Sequence, residues 1–479
     1  MVEKKLIRSY LEAKLAETPI LAKERTQELF GKRRVYTRIE KYVNDFLSGE
    51  VENRVVILPG LRGVGKTTIL LQIYNYLTQV KKVEQARVLY FSADELKDYL
   101  GAKISEAIKV FVEDIWNTSL TSLDKPLFIL IDEAHYDKGW ALSAKIVYDQ
   151  TKRIFLLLTG SSALSMEISV DLARRARKET VFPLNFSEYL ILKYKKYPPR
   201  GTAESIRTLL FEPSDDHVSE ASRRWNELRR GMLNIGKPLE KEFEYFLLYG
   251  GFPFMFNLDE KGAHERIFSM IDRIVEKDVL TIKSFNTKTR NLITRIIYHL
   301  ALQKPGGTSD IKLSKNLGAS SRLIRGILDI LEKTHLIFSI KPYGSAGKVA
   351  RKPWKYYFLS PSINAAIRFK LGRHDPKDRD MLGLFAENLV ASSLFRMKET
   401  MNQPTGIFYD PGTQGVDFII EKGIGEKIPV EVTIGRGNGK TKKAIEKYSS
   451  KHGVCISSID DILFDDNVAH IPLIFFSFI

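Results

Sequence analysis

The chain has 479 residues, of which 44% are hydrophobic and 28% charged. This length predicts about three domains, and the composition excludes wholesale disorder. No apolar run approaches the ~18 residues that cross a bilayer, and the N-terminus lacks a secretory pattern. We therefore expect no membrane partner and a cytoplasmic location. The single cysteine, Cys455, excludes internal disulfides and a cysteine zinc cluster, and we expect it to pack in a core.

The charge of the chain is strongly basic. The sequence contains 74 Lys and Arg against 58 Asp and Glu, a net charge of +16. Half of this excess comes from residues 301–360, which hold 11 basic and 3 acidic side chains. Such an excess is typical of proteins that bind polyanions or acidic surfaces. The segment is therefore the first candidate for contact with DNA.

The strongest motif follows a β-branched run at 54–58, which predicts a buried strand. Residues 59–68 match the pattern G-x-x-x-x-G-K-[ST], and a helical pattern follows at 69–77. Glycines allow successive N–H groups and the helix N-terminus to surround a phosphate, so the motif predicts a P-loop. The predicted nucleotide-binding residues of this loop are Gly60, Leu61, Arg62, Gly63, Val64, Gly65, Lys66, Thr67 and Thr68.

Four residues of the motifs have predicted chemical roles. Lys66 supplies positive charge at the β- and γ-phosphates, and the Thr67 hydroxyl is a candidate ligand of Mg²⁺. A continuous apolar run at 127–131 predicts a second buried strand, which ends in Asp132 and Glu133. Asp132 is expected to hold the Mg²⁺ of the nucleotide, and Glu133 to orient and deprotonate the attacking water.

Two later segments supply candidates with open alternatives. A third apolar strand at 154–158 leads to Ser161, which is predicted to contact the γ-phosphate or the attacking water; the alternative is a merely polar strand end. Arg174 and Arg175 precede a strand predicted at 179–183. Either arginine is a candidate finger that reaches the nucleotide of a neighbouring subunit in a homo-oligomer, and a solvated basic face is the alternative.

The order of these motifs resembles a known family. The P-loop is followed by Phe-Ile-Leu-Ile-Asp-Glu-Ala-His, by Leu-Leu-Thr-Gly-Ser-Ser-Ala-Leu, by Asp-Leu-Ala-Arg-Arg and by Gly-Gly-Phe-Pro at 250–253. This order resembles the AAA+-type P-loop ATPases of prokaryotes. More narrowly, it is similar to their archaea-rich family with a winged helix and a C-terminal restriction-endonuclease-like domain. The resemblance implies ATP as the nucleotide, together with Mg²⁺.

The basic segment contains the spacing of a helix-turn-helix. Helices are predicted at 309–317 and 321–334, and strands at 336–341 and 355–359 flank a basic, glycine-containing wing. Winged helices bind DNA, and they also serve as dimerisation or regulatory modules, which is the alternative. The predicted apolar face of the second helix is Leu323, Ile327, Leu328 and Leu331. The predicted DNA-binding residues are Arg322, Arg325, Lys348, Arg351 and Lys352.

Beyond residue 380 the pattern predicts a helix, three strands, a helix and a strand. Here the chain resembles the restriction-endonuclease-like PD-(D/E)xK core, which implies that Asp417 and Glu431 are the remnants of a Mg²⁺ site. The lysine of that pattern is replaced by Thr433, which cannot supply a cation. We therefore predict an inactive module, unless Lys440 or Lys442 on the following helix reaches back.

Together these patterns predict an α/β protein with an AAA+ or ASCE-like P-loop NTPase core built on a parallel sheet. The predicted function is Mg²⁺-dependent ATP binding and hydrolysis coupled to DNA binding or remodelling. The alternatives are a nucleotide-switched regulatory or scaffold protein with slow hydrolysis, and a DNA nuclease that acts through the C-terminal module. The predicted segments are an N-terminal helical segment at 1–30, a P-loop ATPase core at 31–195, a helical lid or linker at 196–290 with a polar surface insertion at 198–241, a winged helix at 291–365 and the endonuclease-like module at 380–479.

Overall fold

The computed structural model describes most of the chain as two compact units, which meet in the sequence between Phe182 and Pro183. Among the described helices, none combines the length and the apolar character that a membrane crossing requires. The described residues are 4–26, 31–161, 170–233, 235–279, 287–303, 309–345, 347, 349, 352–401, 405–423, 425–435 and 439–479.

The first unit is a parallel β-sheet with helices packed against it. Its helices are α1 (Lys4–Thr26), α2 (Arg34–Leu47), α3 (Lys66–Asn75), α4 (Ala93–Leu100), α5 (Ile104–Val110), α6 (Trp140–Gln150) and α7 (Val170–Ala173). Its strands are β1 (Val55–Pro59), β2 (Val88–Ser92), β3 (Leu127–Asp132), β4 (Ile154–Gly160) and β5 (Arg177–Lys178). The strand order is β2-β3-β4-β1-β5, and each of these pairings is parallel. The predicted α/β core with a parallel sheet is confirmed.

The central strands are buried on both faces, which explains their continuous apolar sequences. Ile57 and Ile129 lie in a core that includes residues of α1, α5 and α6. On the opposite face, the ring of Phe46 in α2 packs against Phe128 and Phe155, with 5.6 Å between ring centroids in each pair. Because apolar neighbours cover both faces, the sequences of these strands do not alternate between polar and apolar residues.

The last strand of this sheet differs from the prediction at 179–183. Strand β5 is only Arg177–Lys178, and Val181 forms an isolated parallel bridge with Gly60. The carboxylate of Glu179 accepts hydrogen bonds from Arg38 Nε at 2.6 Å and from the Tyr42 hydroxyl at 2.7 Å. These side-chain contacts with α2 hold the segment beside β1, so only a short stretch of it pairs as a strand.

The second unit combines helices with one large sheet. Its helices are α8 (Phe186–Tyr194), α9 (Thr202–Phe211), α10 (Asp215–Gly231), α11 (Leu239–Tyr249), α12 (Glu260–Arg273), α13 (Thr287–Leu302), α14 (Asp310–Leu317), α15 (Ser321–Lys333), α16 (Pro361–Lys370), α17 (Arg379–Thr400), α18 (Lys440–Tyr448) and α19 (Leu473–Phe476). Its strands are β6 (Ile337–Pro342), β7 (Lys355–Phe358), β8 (Thr405–Tyr409), β9 (Phe418–Lys422), β10 (Glu426–Thr433), β11 (Gly453–Ser457), β12 (Leu463–Asp465) and β13 (Val468–Pro472).

The large sheet joins two segments that the sequence treats as separate. Its order is β12-β13-β11-β10-β9-β8-β6-β7. The hairpin β6–β7 is antiparallel, and β6 pairs in parallel with β8 through Lys341 with Phe408 and Pro342 with Tyr409. The hairpin of the predicted winged helix and the strands of the predicted endonuclease-like module therefore belong to one sheet. From α17 onward, the order helix, three strands, helix, strand agrees with the prediction.

The two helices of the predicted helix-turn-helix are present, and serine side chains cap both N-termini. The Ser309 hydroxyl accepts from the Lys312 N–H at 3.0 Å, and the Ser320 hydroxyl accepts from the Leu323 N–H at 3.3 Å. The predicted apolar face needs one correction, because Leu323 is only half-buried. Ile324 is fully buried instead and packs with the other predicted apolar residues, which are Ile327, Leu328 and Leu331.

The prediction of a polar surface insertion at 198–241 is wrong in its packing. The segment forms α9 and α10, and α10 buries Trp225 against Phe475 with 5.4 Å between ring centroids. The Trp225 Nε1–H donates to the Asp460 carbonyl at 2.7 Å. Few apolar residues suffice to anchor α10, which is why its polar composition hides a packed helix. Cys455 is buried in β11 as predicted, and burial raises the pKa of its thiol to about 11.

Candidate functional site

The predicted P-loop connects β1 to the N-terminus of α3. Gly65 precedes the first residue of α3 with a φ of +95°, a left-handed conformation that glycine adopts without a steric penalty. Gly60 lies against the backbone of Val181, and a side chain at this position would collide with the Val181 carbonyl oxygen. The glycines therefore let the loop turn tightly at the N-terminus of a helix, where a phosphate is favoured.

The side chain of Lys66 is buried at this loop. Its ammonium donates to the carbonyl oxygens of Gly60 at 3.0 Å and Leu61 at 3.2 Å. These contacts hold the positive charge over the loop that it is predicted to serve. Of the other predicted loop residues, Val64 is fully buried and Gly63 is exposed, whereas Arg62, Gly65, Thr67 and Thr68 are half-buried.

Arg33 is a part of this site that the sequence does not reveal. It precedes α2 and is buried, and its guanidinium donates to the Val64 carbonyl at 2.7 Å and to the Phe182 carbonyl at 2.8 Å. The side chain thereby ties the P-loop to the end of the first unit. A single arginine in a basic run has no spacing that marks such a role.

Asp132 is the centre of the polar contacts at the end of β3. Its carboxylate accepts from the Thr67 hydroxyl at 2.6 Å and also from the Thr159 hydroxyl. Burial, reinforced by the charge of Glu133, raises the pKa of Asp132, while the two hydroxyls and the charge of Lys66 act in the opposite direction. The predicted Mg²⁺ ligands Thr67 and Asp132 are thus adjacent, although they lie far apart in the sequence.

Thr159, at the end of β4, is a second residue that sequence reasoning missed. Its hydroxyl donates to Asp132 and accepts from the Glu133 N–H at 3.2 Å. The predicted residue of this strand end, Ser161, instead has its N–H directed at His135 Nδ1 at 3.3 Å. The Ser161 hydroxyl is buried without a hydrogen-bond partner among the described residues. The polar residues at the end of this strand were the available signal, but the sequence did not show whether Thr159 or Ser161 contacts the acidic pair.

The predicted catalytic base, Glu133, has an unusual backbone. Its φ is +50°, in the left-handed region that non-glycine residues seldom adopt. One carboxylate oxygen of Glu133 lies 3.3 Å from His135 Nδ1, and the imidazole itself is buried. The turn directs the Glu133 carboxylate to the side of the sheet where β4 ends.

The two candidate finger arginines differ in their surroundings. Arg174 is exposed, whereas Arg175 Nε pairs with Asp149 Oδ1 at 2.8 Å. Both follow the short helix α7. An arginine that acts in a neighbouring subunit must reach beyond its own chain, and the exposed Arg174 meets that condition better than the paired Arg175.

The predicted DNA-binding residues lie on α15 and the wing. Arg322 and Lys352 are exposed, and Arg325 stacks on Trp354, with its guanidinium carbon 3.8 Å from the ring centroid. Lys348 and Arg351 lie outside the described residues. The contacts of Arg325 with Trp354, Tyr356 and Asp329 give it a role within the protein.

The predicted acidic pair of the second unit lies on neighbouring strands. Glu431 in β10 is buried, and its carboxylate accepts from the Thr441 hydroxyl at 2.9 Å and from the Thr441 N–H at 3.3 Å. The Asp417 carboxylate accepts from the Val432 N–H at 2.8 Å. Burial and the nearby charge of Glu387 raise the pKa of Asp417 to about 7.

Three lysines are candidates for the cation that Thr433 replaces in the sequence motif of this acidic pair. Lys442 is engaged elsewhere, because it pairs with Asp466. The charge of Lys440 lowers the pKa of Asp417, which brings this lysine into electrostatic range of the cluster. Lys355, from β7, lies 3.3 Å from a carboxylate oxygen of Glu387 and was not predicted. Within the described part of the chain, no three His, Cys, Asp or Glu side chains are arranged to hold a metal ion.

Comparison with known proteins agrees with the first unit. A family model described as "AAA domain" matches residues 52–190, which contain the P-loop, Asp132 and Thr159. A second model, "Domain of unknown function (DUF8612)", matches residues 240–375. With the sheet order above, the first match defines the class: the first unit has the fold of the P-loop AAA+ ATPases.

The chain is also similar to whole proteins. The Uncharacterized protein MJ1637 of Methanocaldococcus jannaschii is 32% identical over 467 residues, which cover 97% of this chain and 93% of that protein. An Uncharacterized protein of Haemophilus influenzae is 24% identical over 395 residues, covering 80% and 83%. The chain belongs to the family of MJ1637.

Solved structures resemble the chain only loosely. The Aeropyrum pernix ORC2 protein, in ADPNP and ADP complexes, is 14% identical and covers 72% of this chain and 100% of its own, with a TM-score of 0.34. AMPPCP-bound DnaA from Aquifex aeolicus is 15% identical and covers 61% and 86%, with a TM-score of 0.25. Superpositions at this level carry no conclusion about the chain.

Proposed function

We propose that this protein is a Mg²⁺-dependent ATPase of the AAA+ type that couples ATP binding and hydrolysis to the binding or remodelling of DNA. The observation that carries the proposal is the convergence of Lys66, Thr67, Asp132 and Glu133 at one end of a parallel sheet. These residues come from two distant segments, and their side chains are the types that phosphate transfer from ATP requires.

The P-loop would bind the phosphates of ATP. The backbone N–H groups at the start of α3 and the ammonium of Lys66 provide positive charge, and Lys66 exchanges its loop carbonyls for phosphate oxygens. Thr67 and Asp132 are the residues that would hold Mg²⁺, because their oxygens already lie 2.6 Å apart. Mg²⁺ bound there supplies positive charge that stabilises the phosphates during transfer.

Glu133 is the proposed general base. Its carboxylate would orient the attacking water and take its proton, and one of its oxygens lies 3.3 Å from His135 Nδ1. The Thr159 hydroxyl contributes by holding Asp132 and the Glu133 backbone together. Arg174 is the proposed finger toward a second subunit, since it is exposed.

The proposal of DNA as partner depends on charge. Residues 301–360 carry 11 basic and 3 acidic side chains, and they include the helices α14 and α15 with the hairpin β6–β7. Exposed arginine and lysine side chains on such a surface attract the phosphate backbone of DNA. The C-terminal module is proposed to be inactive as a nuclease, because Thr441 occupies the carboxylate of Glu431 and Thr433 replaces the lysine.

One contact favours a second candidate function, a nucleotide-switched regulator with slow hydrolysis. A carboxylate oxygen of Glu133 lies 3.3 Å from Nδ1 of the buried His135, and protonation of this imidazole would form an ion pair that makes the base less available to water. In this alternative ATP acts as a conformational ligand. The two candidates differ in the rate of turnover rather than in the binding of nucleotide.

The test is steady-state ATP hydrolysis with Mg²⁺, measured with and without double-stranded DNA. We expect Lys66→Ala to lose both hydrolysis and ATP binding. Glu133→Gln should keep ATP binding but lower kcat by at least 100-fold, since removal of a general base costs roughly 10²–10⁴. The exposed Lys152→Ala is the matched control for loss of a lysine charge and should leave turnover unchanged.

The outcomes separate the candidates. Turnover that DNA stimulates, and that both site variants abolish, supports the coupled ATPase. Very slow turnover with tight ATP binding favours the regulator. Full turnover in Glu133→Gln would remove this residue from the mechanism. Cleavage of DNA by the wild type with Mg²⁺ or Mn²⁺, lost in Asp417→Ala, would establish the nuclease alternative.

A further inference from the structure

Trp354 connects the second helix of the helix-turn-helix to the wing hairpin. The ring lies directly before β7, and two cations approach it from other elements. The guanidinium carbon of Arg325 in α15 is 3.8 Å from the ring centroid, and Lys341 Nζ in β6 is 4.8 Å from it. The electron-rich face of an indole attracts cations, so the ring holds both charges in one place.

Arg325 is fixed by further contacts. Its Nη1 donates to the Tyr356 hydroxyl at 3.2 Å, and its Nε lies 3.2 Å from Asp329 Oδ1. A guanidinium reads guanine through a bidentate contact that needs a free edge directed into the groove. The edge of Arg325 is already engaged by Tyr356 and Asp329. Arg325 is therefore placed to join α15 to the hairpin rather than to read a base.

Three other cations of α15, β6 and the segment before β7 are exposed. Arg322 lies one helical turn before Arg325 and thus on the same side of α15. Lys341 is exposed on β6, and Lys352 is exposed two residues before Trp354. We call the exposed side chains of Arg322, Lys341 and Lys352, together with the half-buried Trp354, the Trp354 surface.

The acidic groups nearby leave this surface positive. Asp329 is neutralised by its ion pair with Arg325. Glu332 forms a hydrogen bond with Ser339, and burial raises the pKa of its carboxyl group. Neither carboxylate compensates the exposed cations of the surface. A polyanion that passes over the ring would therefore meet exposed positive charge.

We infer that the Trp354 surface binds the phosphate backbone of double-stranded DNA without reading its sequence. Arg322, Lys341 and Lys352 contact phosphates, and Trp354 and Arg325 are positioning residues that hold the cations and the wing in place. This inference rests on the proposed function, because it takes DNA as the partner. It assigns Arg325, one of the predicted DNA-binding residues, a role within the protein instead.

The experiment measures the binding of the full-length protein to two fluorescently labelled 30-base-pair duplexes of unrelated sequence, across a series of KCl concentrations. The variants are Lys341→Gln, Arg322→Gln, Trp354→Leu and Trp354→Phe. Lys377→Gln is the matched control, since it removes the charge of an exposed lysine outside the basic segment. Circular dichroism and thermal unfolding identify any variant that fails to fold.

We expect the two duplexes to bind within about threefold of each other. Each lost phosphate contact should lower the slope of log Kd against log salt by about 1, so Lys341→Gln and Arg322→Gln each flatten the dependence equally for both duplexes. Trp354→Leu should flatten it without removing a charge, and Trp354→Phe should retain most of the wild-type slope because it keeps an aromatic face. Lys377→Gln should behave as the wild type.

Two results would overturn the inference while leaving DNA as the partner. The first is a difference of tenfold or more between the duplexes that Arg325→Lys removes, which would make Arg325 a base reader. The second is DNA binding with an unchanged slope in Lys341→Gln, Arg322→Gln and Trp354→Leu. If the wild type binds neither duplex, the DNA half of the proposed function fails together with the inference, and ATP hydrolysis remains to be judged by its own assay.

Discussion

Asp132 in the first unit and Glu431 in the second are both buried carboxylates that accept a hydrogen bond from a threonine hydroxyl. Their surroundings differ in the cation. Asp132 lies within the electrostatic reach of Lys66, whereas the strand position near Glu431 that would provide a lysine holds Thr433. Asp132 therefore lies beside the P-loop in the first unit, and Glu431 lies against a helix N-terminus in the second.

The comparison teaches that a buried carboxylate is not evidence of chemistry by itself. In the first unit, the N–H groups of a loop, a lysine and two hydroxyls face one point. In the second unit, the carboxylate of Glu431 accepts hydrogen bonds from the N–H and the hydroxyl of Thr441 at the first turn of α18. This arrangement stabilises the helix terminus. The variants below separate a site that acts on a ligand from one that maintains the fold.

Among the variants that separate these two carboxylates, the largest effect is expected from Thr159→Val. The change removes the hydroxyl that donates to Asp132 and that accepts from the Glu133 N–H, with little change of volume. A hydrogen bond to a charged group contributes roughly 1.5–3 kcal/mol, so we expect kcat for ATP to fall by about 10- to 100-fold. Steady-state kinetics measure it.

Ser161→Ala is the control for Thr159→Val. It removes a hydroxyl from the same strand end, but one without a hydrogen-bond partner among the described residues. We expect kcat to stay within about twofold, because no described hydrogen bond is lost. Equal losses in the two variants would mean that the contact of Thr159 with Asp132 has no special part in turnover.

A smaller effect, on stability, is expected from Lys355→Met in the second unit. Lys355 and Glu387 form an ion pair with both side chains mostly buried, at 13% and 15% exposure. Loss of the lysine leaves Glu387 and Asp417 together without this cation, and we expect the free energy of unfolding to fall by about 2 kcal/mol. Urea denaturation followed by circular dichroism measures the change.

Lys442→Met provides the comparison for Lys355→Met. Its ion pair with Asp466 is solvent-exposed, and exposed pairs contribute little to stability. The midpoint of unfolding should barely move. If Lys355→Met were as mild as Lys442→Met, the cluster around Glu387 would be better hydrated than its burial indicates.

The smallest effect concerns pH and Asp417. Its pKa is raised above the ordinary value of 3.8, so between 3.8 and about 7 the folded chain binds a proton that the unfolded chain has released. Stability from this group is therefore complete below pH 3.8 and is lost as the pH rises toward 7. The slope for one group is at most about 1.4 kcal/mol per pH unit.

The measurement is the difference in unfolding free energy between wild type and Asp417→Asn at pH 6 and pH 8. We expect the wild type to lose roughly 1–2 kcal/mol relative to the variant over this interval. Asp466→Asn is the control, because the hydrogen bond and the charge of Lys442 lower the pKa of Asp466, so its stabilisation is lost only below pH 3.8 and the difference should stay constant over this interval. A pH-independent difference for Asp417→Asn would show that its carboxyl group titrates normally.

The nucleotide site was largely predictable because its motifs are short and continuous. The loop at 59–68 and the acid pair each follow a buried strand, and the carboxyl ends of parallel strands meet at one edge of the sheet. Arg33 and Thr159 were not predicted. Their roles arise from contacts between segments that are remote in sequence, and their residue types are common in ordinary helix starts and strand ends.

The second unit was predictable in its order of elements but less so in its packing. Periodicity located α14, α15 and the strands that follow. It did not reveal that α10 is anchored through Trp225, or that Arg325 is held by Trp354, because both depend on aromatic residues that lie far away in sequence or in a loop. The assignment of five separate segments remains a prediction.

The pairing of β6 with β8 has a consequence for how the C-terminal part can be handled or inherited. The two residue pairs of the junction cover one end of the edge of β8, whose backbone would otherwise be open there to another chain. A fragment that begins at residue 380 would expose this edge and invite aggregation. The hairpin and the strands beyond it are thus best regarded as one inseparable piece, which could be gained or lost in evolution only as a whole.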